Sequence, residues 1–397
     1  MILNGAYKFR LYPTLEQQEF FARTFGCCRF IWNRMLADRI QHYEKTKESL
    51  MTTPAGYKKE FEFLQEVPGN VLCNVQINLQ KAFSNFFRGK GKIGFPKFKS
   101  KKSSRNVFTV NYLKFVDGKL KLQKLRTLIK TKMHRPIPEN HLIKSATISR
   151  TASGKYFISI LTEYEVEIVE KKIEDAIGLD FSMSKLYVDS NGDDPVNGNP
   201  EEFFKFYKKS QQKLAIEQRK LSKMIRGSNN YKFQKIKIAR IHEHIANQRK
   251  NFLHNQSKQI TNEFDAICVE GLNMQSMSQC LNFGKSVTDN SWGSFVEMLR
   301  YKLESQGKHL IKIDKWFPSS KMCSRCGATK EMPLGEQIYT CDACGLVIDR
   351  DHNAAKNILK EGLRTFFENC SNCGDRSSIL EPPSSLSDKH GTLVPCS

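Results

Sequence analysis

Nowhere in the 397 residues does an apolar run reach the roughly 20 positions a membrane span requires. The opening, MILNGAYKFRLYP, also lacks the apolar stretch of a secretory leader, so a cytoplasmic, nucleoid-associated location is expected, with no membrane partner. Acidic residues are scarce beside basic ones: 41 Asp and Glu against 63 Lys and Arg leave a net charge of +22. Such an excess repels itself, and a polyanionic partner offsets it, so nucleic acid is the expected ligand rather than a merely basic soluble enzyme's substrate. No internal repeat is visible. What the chain does have is length for two or three domains and twelve cysteines. Inside a cell, that many thiols point to metal ligation and core packing, not disulfides. Cys27, Cys28, Cys73 and Cys268 stand among apolar neighbours and read as core.

The segment AYKFRLYP alternates apolar with basic positions, which predicts a strand with one wet, positive face carrying Lys8 and Arg10. Thr14, followed by Glu16, Gln17 and Gln18, predicts a helix start, and helical spacing then continues to about residue 87 with a turn near VPGN. Residues 88–105, RGKGKIGFPKFKSKKSSR, hold eight basic residues and no acidic one: Arg88, Lys90, Lys92, Lys97, Lys99, Lys101, Lys102 and Arg105. Phe95, Pro96 and Phe98 interleave them. A solvated loop could look like this, but closely spaced cations with aromatics suit a phosphate backbone, where each neutralised phosphate releases counterions. Short strand-like runs follow and suggest a small β-domain completed by the N-terminal strand.

After Glu174 the pattern becomes α/β. AIGLDF and KLYVDSNGD read as strands, a long basic helical stretch breaks at RGSNN, FDAICVEGL is another strand, and an amphipathic helix and the strand KHLIKID follow. Asp180 ends the first of these strands, Glu270 ends AICVE, and Asp351 opens the helix HNAAKNIL. Singly, each could be a turn or cap residue. Jointly, three carboxylates at strand ends and a helix start can converge on one sheet edge and hold Mg²⁺ or Mn²⁺ for phosphodiester hydrolysis. Spacing alone does not choose between Asp349 and Asp351; Asp351 is favoured, with Asn353 as a supporting donor.

Cys323 and Cys326, fourteen residues, then Cys341 and Cys344 form two CxxC knuckles, each followed by glycine. The twofold repeat argues for one structural Zn²⁺ with a closed thiolate shell, and against a redox pair. Cys370 and Cys373 lack a partner pair. The Pro/Ser-rich tail, 367–397, is expected to be disordered.

Taken together, YKFRLYPTLEQQEFFARTFGCCRFIWNRML, FFRGKGKIGFPKFKSKK, GLDFSMSKLYVDSNG, ICVEGLNM, WFPSSKMCSRCG…YTCDACG and DRDHNAAKNIL resemble TnpB, the family of transposon-encoded RNA-guided nucleases related to the miniature type V CRISPR effectors. The resemblance runs to about residue 365. It implies a multidomain α+β fold: a β-barrel wedge domain (1–13 and 95–172), an inserted helical recognition domain (14–94), an RNase H-like RuvC nuclease domain (173–318 and 347–366) and a zinc-ribbon insertion (319–346). It also implies Asp180, Glu270 and Asp351 as the metal-binding triad, a guide RNA from the transposon end, double-stranded target DNA, and one chain per RNA complex. Ser182 departs from the Gly that many relatives carry there, leaving the ligand in place. A nuclease-inactive RNA-guided regulator, a transposition accessory protein and a DDE-type transposase are the rival readings; the intact carboxylates weigh against the first two, and strand joining would mark the third.

Overall fold

The computed structural model describes residues 1–89, 93–102, 105–182, 185–195, 200–272, 291–333 and 335–372, with backbone alone at 200–209 and 370–372. Two compact units result, Met1–Glu167 and Ile168–Ser397.

In the first unit, β1 (Ile2–Tyr12) shows the expected alternation, with Phe9 and Leu11 buried and Lys8 exposed. Thr14 then starts α1 (Leu15–Thr46) with a capping box, its hydroxyl accepting from Gln17 N and the Gln17 side chain accepting from Thr14 N. Next come α2 (Pro54–Glu60), a 3₁₀ turn over Glu62–Glu66 and α3 (Gly69–Arg88), which begins at the VPGN turn. The strands β2 (Asn106–Val110), β3 (Lys114–Val116), β4 (Lys119–Lys121), β5 (Ile129–Lys132), β6 (Leu142–Arg150) and β7 (Tyr156–Glu165) join β1 in an antiparallel sheet ordered β2-β6-β7-β1-β5-β4-β3. Among these, β5 is too short and too basic to be legible as a strand. Phe9 and Leu11 of β1, Phe21 and Ile31 of α1, Leu72 of α3 and Phe108 of β2 belong to one continuous core, which takes in Cys27 and Cys28 as expected, whereas Cys73 lies on the outer face of α3 and is exposed. Helices and sheet therefore share one core, and position 94/95 lies in the connection between the end of α3 at Arg88 and the start of β2 at Asn106.

In the second unit, β8 (Ala176–Ser182), β9 (Leu186–Asp189), β10 (Ala266–Glu270) and β11 (His309–Ile313) form a sheet ordered β11-β10-β8-β9. β8, β10 and β11 are parallel and β9 is antiparallel. The connections include α4 (Pro200–Ser222), α5 (Asn229–Glu263) and α6 (Trp292–Glu304). Ser228 caps α5 at the break expected near RGSNN. The two faces of the sheet follow the period of two. Ile177, Leu179, Ile267 and Val269 pack on α5 and α6 through Leu253, Ile260, Phe295 and Leu299. Ala266 and Cys268 face the other way, with Ile358 and Leu363 of α7 (Arg350–Asn372).

Two glycines let α7 approach this second face closely. A Cβ on Gly178 would lie 2.2 Å from Ala355 O, and one on Gly362 would lie 2.5 Å from Cys268 Sγ. The first collision is with backbone, which cannot rotate away. Gly178→Ala is therefore expected to cost at least about 1–3 kcal/mol, the usual penalty of overpacking, and to push α7 off β8; a denaturation midpoint measures it. Helix α7 runs to Asn372, past the expected start of the tail at 367. Cys373 and the rest of the tail lie outside the described residues. No helix among the described residues is long and apolar enough to cross a membrane.

Candidate carboxylate site and cysteine ribbon

Strand register brings the first two carboxylates together. Leu179 pairs with Val269 in the parallel β8–β10 ladder, so Asp180 and Glu270 are the next residues along on neighbouring strands. Adjacent strands lie about 4.8 Å apart. By the period of two, Asp180 shares the face of Gly178 and Glu270 that of Cys268, the face covered by α7. Asp351 stands in the first turn of that helix. All three are half-buried at the C-terminal edge of the parallel strands, where open α/β sheets form their binding crevices.

The electrostatics follow from this juxtaposition. Burial, then the facing charges of Glu270 and Asp351, push the Asp180 carboxyl well above its ordinary value, while the Arg350 guanidinium and the Phe181 N–H pull it back. Burial also raises Glu270, against a hydrogen bond from Ser319 Oγ to Glu270 Oε1. Arg350 donates to Asp351 Oδ1 at 3.2 and 3.3 Å. Asp180 thus faces two further carboxylates, with the Arg350 guanidinium on Asp351, and oxygen donors of this type are those that hard divalent ions take.

Asp349 has a different task. Its Oδ1 accepts from Asp351 N (2.9 Å) and His352 N (3.0 Å), satisfying the free N–H groups at the start of α7. Asp351 is the one of the two whose charge bears on Asp180. The expected supporting role of Asn353 at the carboxylates is replaced by another. Buried completely, it accepts from Ser324 N (2.9 Å) and donates to Met322 O (2.7 Å). Asn357 adds bonds to Ser319 O and Met322 O, and Lys360 one to Ser324 O. Residues 353, 357 and 360 share one helix face, and that face grips the chain entering the first knuckle. Ser319 and Arg350 escaped the sequence reading. Arg350, placed between two aspartates, carried a signal; Ser319, within FPSSK, carried none.

The four cysteines gather as spaced. Their Sγ atoms all lie within 4.8 Å of one another, with Cys323 to Cys344 at 3.6 Å and Cys326 to Cys341 at 3.5 Å. Tetrahedral thiolates at the zinc–sulfur distance of about 2.3 Å would stand about 3.8 Å apart, so the cluster fits a structural metal site of that size. Gly327 (φ 76°) and Gly345 (φ 69°) both take the left-handed turn conformation that closes each knuckle, donating to Cys323 O and Cys341 O. The short hairpin β12 (Ile338–Thr340) and β13 (Val347–Asp349) carries the second knuckle directly into α7.

Of the expected nucleic-acid contacts, Arg88, Lys97, Lys101, Lys102 and Arg105 are exposed, whereas Lys90 and Lys92 lie outside the described residues. Lys97, Lys99 and Arg105 line a cleft of about 410 Å³ with Arg29, Asn74 and Phe98. Lys99 is turned inward, its ammonium 3.4 Å from the Trp32 ring centroid, and burial lowers its pKa. Lys8 and Arg10 both lie over Phe157, at 4.6 and 5.0 Å.

A parallel-stranded sheet with acids at its edge, joined to a cysteine ribbon and a basic α+β unit, defines a multidomain protein built to act on nucleic acid. Family models match at residues 1–48 (Helix-turn-helix domain), 159–281 (Probable transposase) and 292–358 (Cas12f1-like, TNB domain). A Streptomyces pristinaespiralis protein named "Putative RNA-guided DNA endonuclease" is 34% identical over 403 residues, covering 96% of each chain. An Escherichia coli K12 protein of the same designation, InsQ, is 30% identical over 90% of this chain and 92% of its own. The chain belongs to the TnpB family of RNA-guided DNA endonucleases. Its fold is shared with a Cas12f1 chain solved as an sgRNA–target DNA complex (TM-score 0.54, 12% identity, 90% of this chain and 98% of that one).

Proposed function

We propose that this chain is a transposon-encoded, RNA-guided DNA endonuclease that hydrolyses guide-matched double-stranded DNA next to a short DNA motif. The observation carrying the proposal is the register that sets Asp180 beside Glu270 and turns both toward Asp351 on α7. These three residues are the ligands for Mg²⁺ or Mn²⁺, and the second unit is the RuvC-like nuclease domain, with 319–346 as its zinc-ribbon insertion and Cys323, Cys326, Cys341 and Cys344 as the Zn²⁺ ligands. Residues 1–13 and 95–172 form the wedge and 14–94 the recognition segment, binding guide RNA and heteroduplex through backbone charge and shape while base pairing selects the sequence. One chain serves each RNA complex.

Bound at the carboxylates, divalent ions supply an activated water and neutralise charge on the leaving oxygen. The chain's own contribution is placement. Paired strands hold Asp180 and Glu270 rigidly, Ser319 fixes the Glu270 oxygen it bonds, and Arg350 holds Asp351. Arg350 also lends positive charge where phosphate must approach three acids.

The test is purification with the native locus, sequencing of co-purifying RNA, and incubation of the complex with matching plasmid in Mg²⁺ or EDTA. A discrete RNA and Mg²⁺-dependent cutting at the matched site, lost in Asp351→Ala, is the expected result. Guided binding without cutting would shift the function to a regulator, and joining of the cut ends to new DNA would indicate a transposase.

A further inference from the structure

We propose that Trp316 is a stacking platform for a base of the single DNA strand being cut, beside the carboxylate site; the proposal rests on the nuclease reading above. The chain has three tryptophans. Trp32 and Trp292 are 7% and 2% exposed, as befits core residues, whereas Trp316 is 80% exposed and so contributes little to the packing of its own unit.

Its position is set from both sides. In the β10–β11 ladder Glu270 pairs with Ile313, and Trp316 lies three residues beyond Ile313, within about 10 Å of chain. Three residues later, Ser319 bonds Glu270 itself. The turn between them is held firmly: Trp316 N donates to Asp314 Oδ1 at 2.7 Å, Phe317 N bonds Asp314 O at 3.2 Å, and the Phe317 ring packs into the α7-side core. One aromatic of the pair is thus anchored inward while its neighbour is left in water, at the same C-terminal sheet edge as the acids.

The chemistry around the indole suits a nucleotide. Lys315 Nζ lies over one face of the Trp316 ring, 4.7 Å from its centroid, which puts a phosphate partner beside an indole exposed enough to take any base on its opposite face. A strand laid across this edge would have one base stacked on the indole, its flanking phosphate beside Lys315, and a neighbouring phosphate at the carboxylates. Stacking of this kind is sequence-tolerant, as an enzyme whose specificity comes from base pairing requires.

The experiment uses the full chain with its co-purified RNA. With Mg²⁺, Trp316→Ala is expected to raise KM for a guide-matched single-stranded oligodeoxynucleotide about 5- to 150-fold with kcat largely retained, and Trp316→Phe to restore most of the loss. With Ca²⁺ in place of Mg²⁺, the wild-type-minus-Trp316→Phe emission spectrum is expected to be quenched when the oligonucleotide is added. Bound metal and melting temperature should be unchanged in both variants, as the 80% exposure implies. Unchanged KM in Trp316→Ala, or a difference spectrum indifferent to DNA, overturns the proposal while leaving the nuclease intact; quenching by free RNA but not by DNA also overturns it. If the wild type fails to cut at all, the nuclease reading itself has failed.

Discussion

Asp180→Asn is expected to stabilise the ion-free protein near neutral pH while abolishing its activity. The native carboxyl is raised well above its ordinary value by burial and by Glu270 and Asp351. A group whose folded pKa lies above its unfolded one binds protons more tightly in the native state. Its contribution to stability is present below the unfolded value and is lost as pH rises through the folded one. In EDTA, the wild type should therefore melt at progressively lower temperature as pH rises above the ordinary carboxylate range, as far as this group dictates, and the Asn variant should show a shallower slope. Adding Mg²⁺ or Mn²⁺ should restore wild-type stability by about 2.7 kcal/mol at a hundredfold excess over Kd, and do little for the variant. Loss of a metal ligand removes several kcal/mol of transition-state stabilisation, so cutting should fall by about 10³-fold or more. Melting curves across this pH range, with and without Mg²⁺, measure both effects. A variant that still cuts at the wild-type rate would remove Asp180 from the site.

The second large effect should come from the cysteines. Thiolate zinc sites contribute about 10–16 kcal/mol of apparent binding energy in isolated fingers at neutral pH, so Cys341→Ser or strong chelation should unfold the ribbon. One zinc per chain should be released, and hydrogen exchange should accelerate around Tyr339, which is only 1% exposed in the folded hairpin. The damage should travel further. Met322 and Ser324, beside the ligand Cys323, are held by Asn353, Asn357 and Lys360, and Asn357 also holds Ser319, the donor to Glu270. Ser319→Ala isolates this link. It should keep its zinc yet require about 10- to 100-fold more Mg²⁺ for half-maximal cutting, as when a hydrogen-bond partner of a metal ligand is removed, and Ser319→Thr should recover part of that loss. Mn²⁺ binding followed by electron paramagnetic resonance should show the same ordering without reference to turnover. An unchanged Mg²⁺ requirement would reduce Ser319 to a packing residue.

Much of this site is written locally in the chain. The apolar runs into Asp180 and Glu270 specify buried strands, although only β10 ends on its acid and β8 runs two residues past Asp180 to Ser182; the paired CxxCG knuckles specify a thiolate cluster, and Thr14 with Gln17 specifies a helix start. Strand, helix start and each single knuckle depend only on residues within a few positions, through strand period, turn geometry or a reach of three residues, and the twofold repeat of the knuckle signals the pairing. The strand β5, the sharing of one core by the N-terminal helices and sheet, and the division of labour between Asp349 and Asp351 were not legible. Both aspartates suit a helix start; only the direction in which α7 meets β8, made possible by Gly178, assigns one to capping and the other to the acids.

By itself, then, the sequence determined most of the elements, the cysteine cluster and the charge that calls for nucleic acid. Tertiary structure alone decided the bond from Ser319 to Glu270, 49 residues away, and the clamp of Asn353 on Ser324, 29 residues away. Those contacts exist because one face of α7 and the ends of two neighbouring strands, β10 and β11, bring the segment after β11 against both, and no local periodicity encodes a partner at that distance.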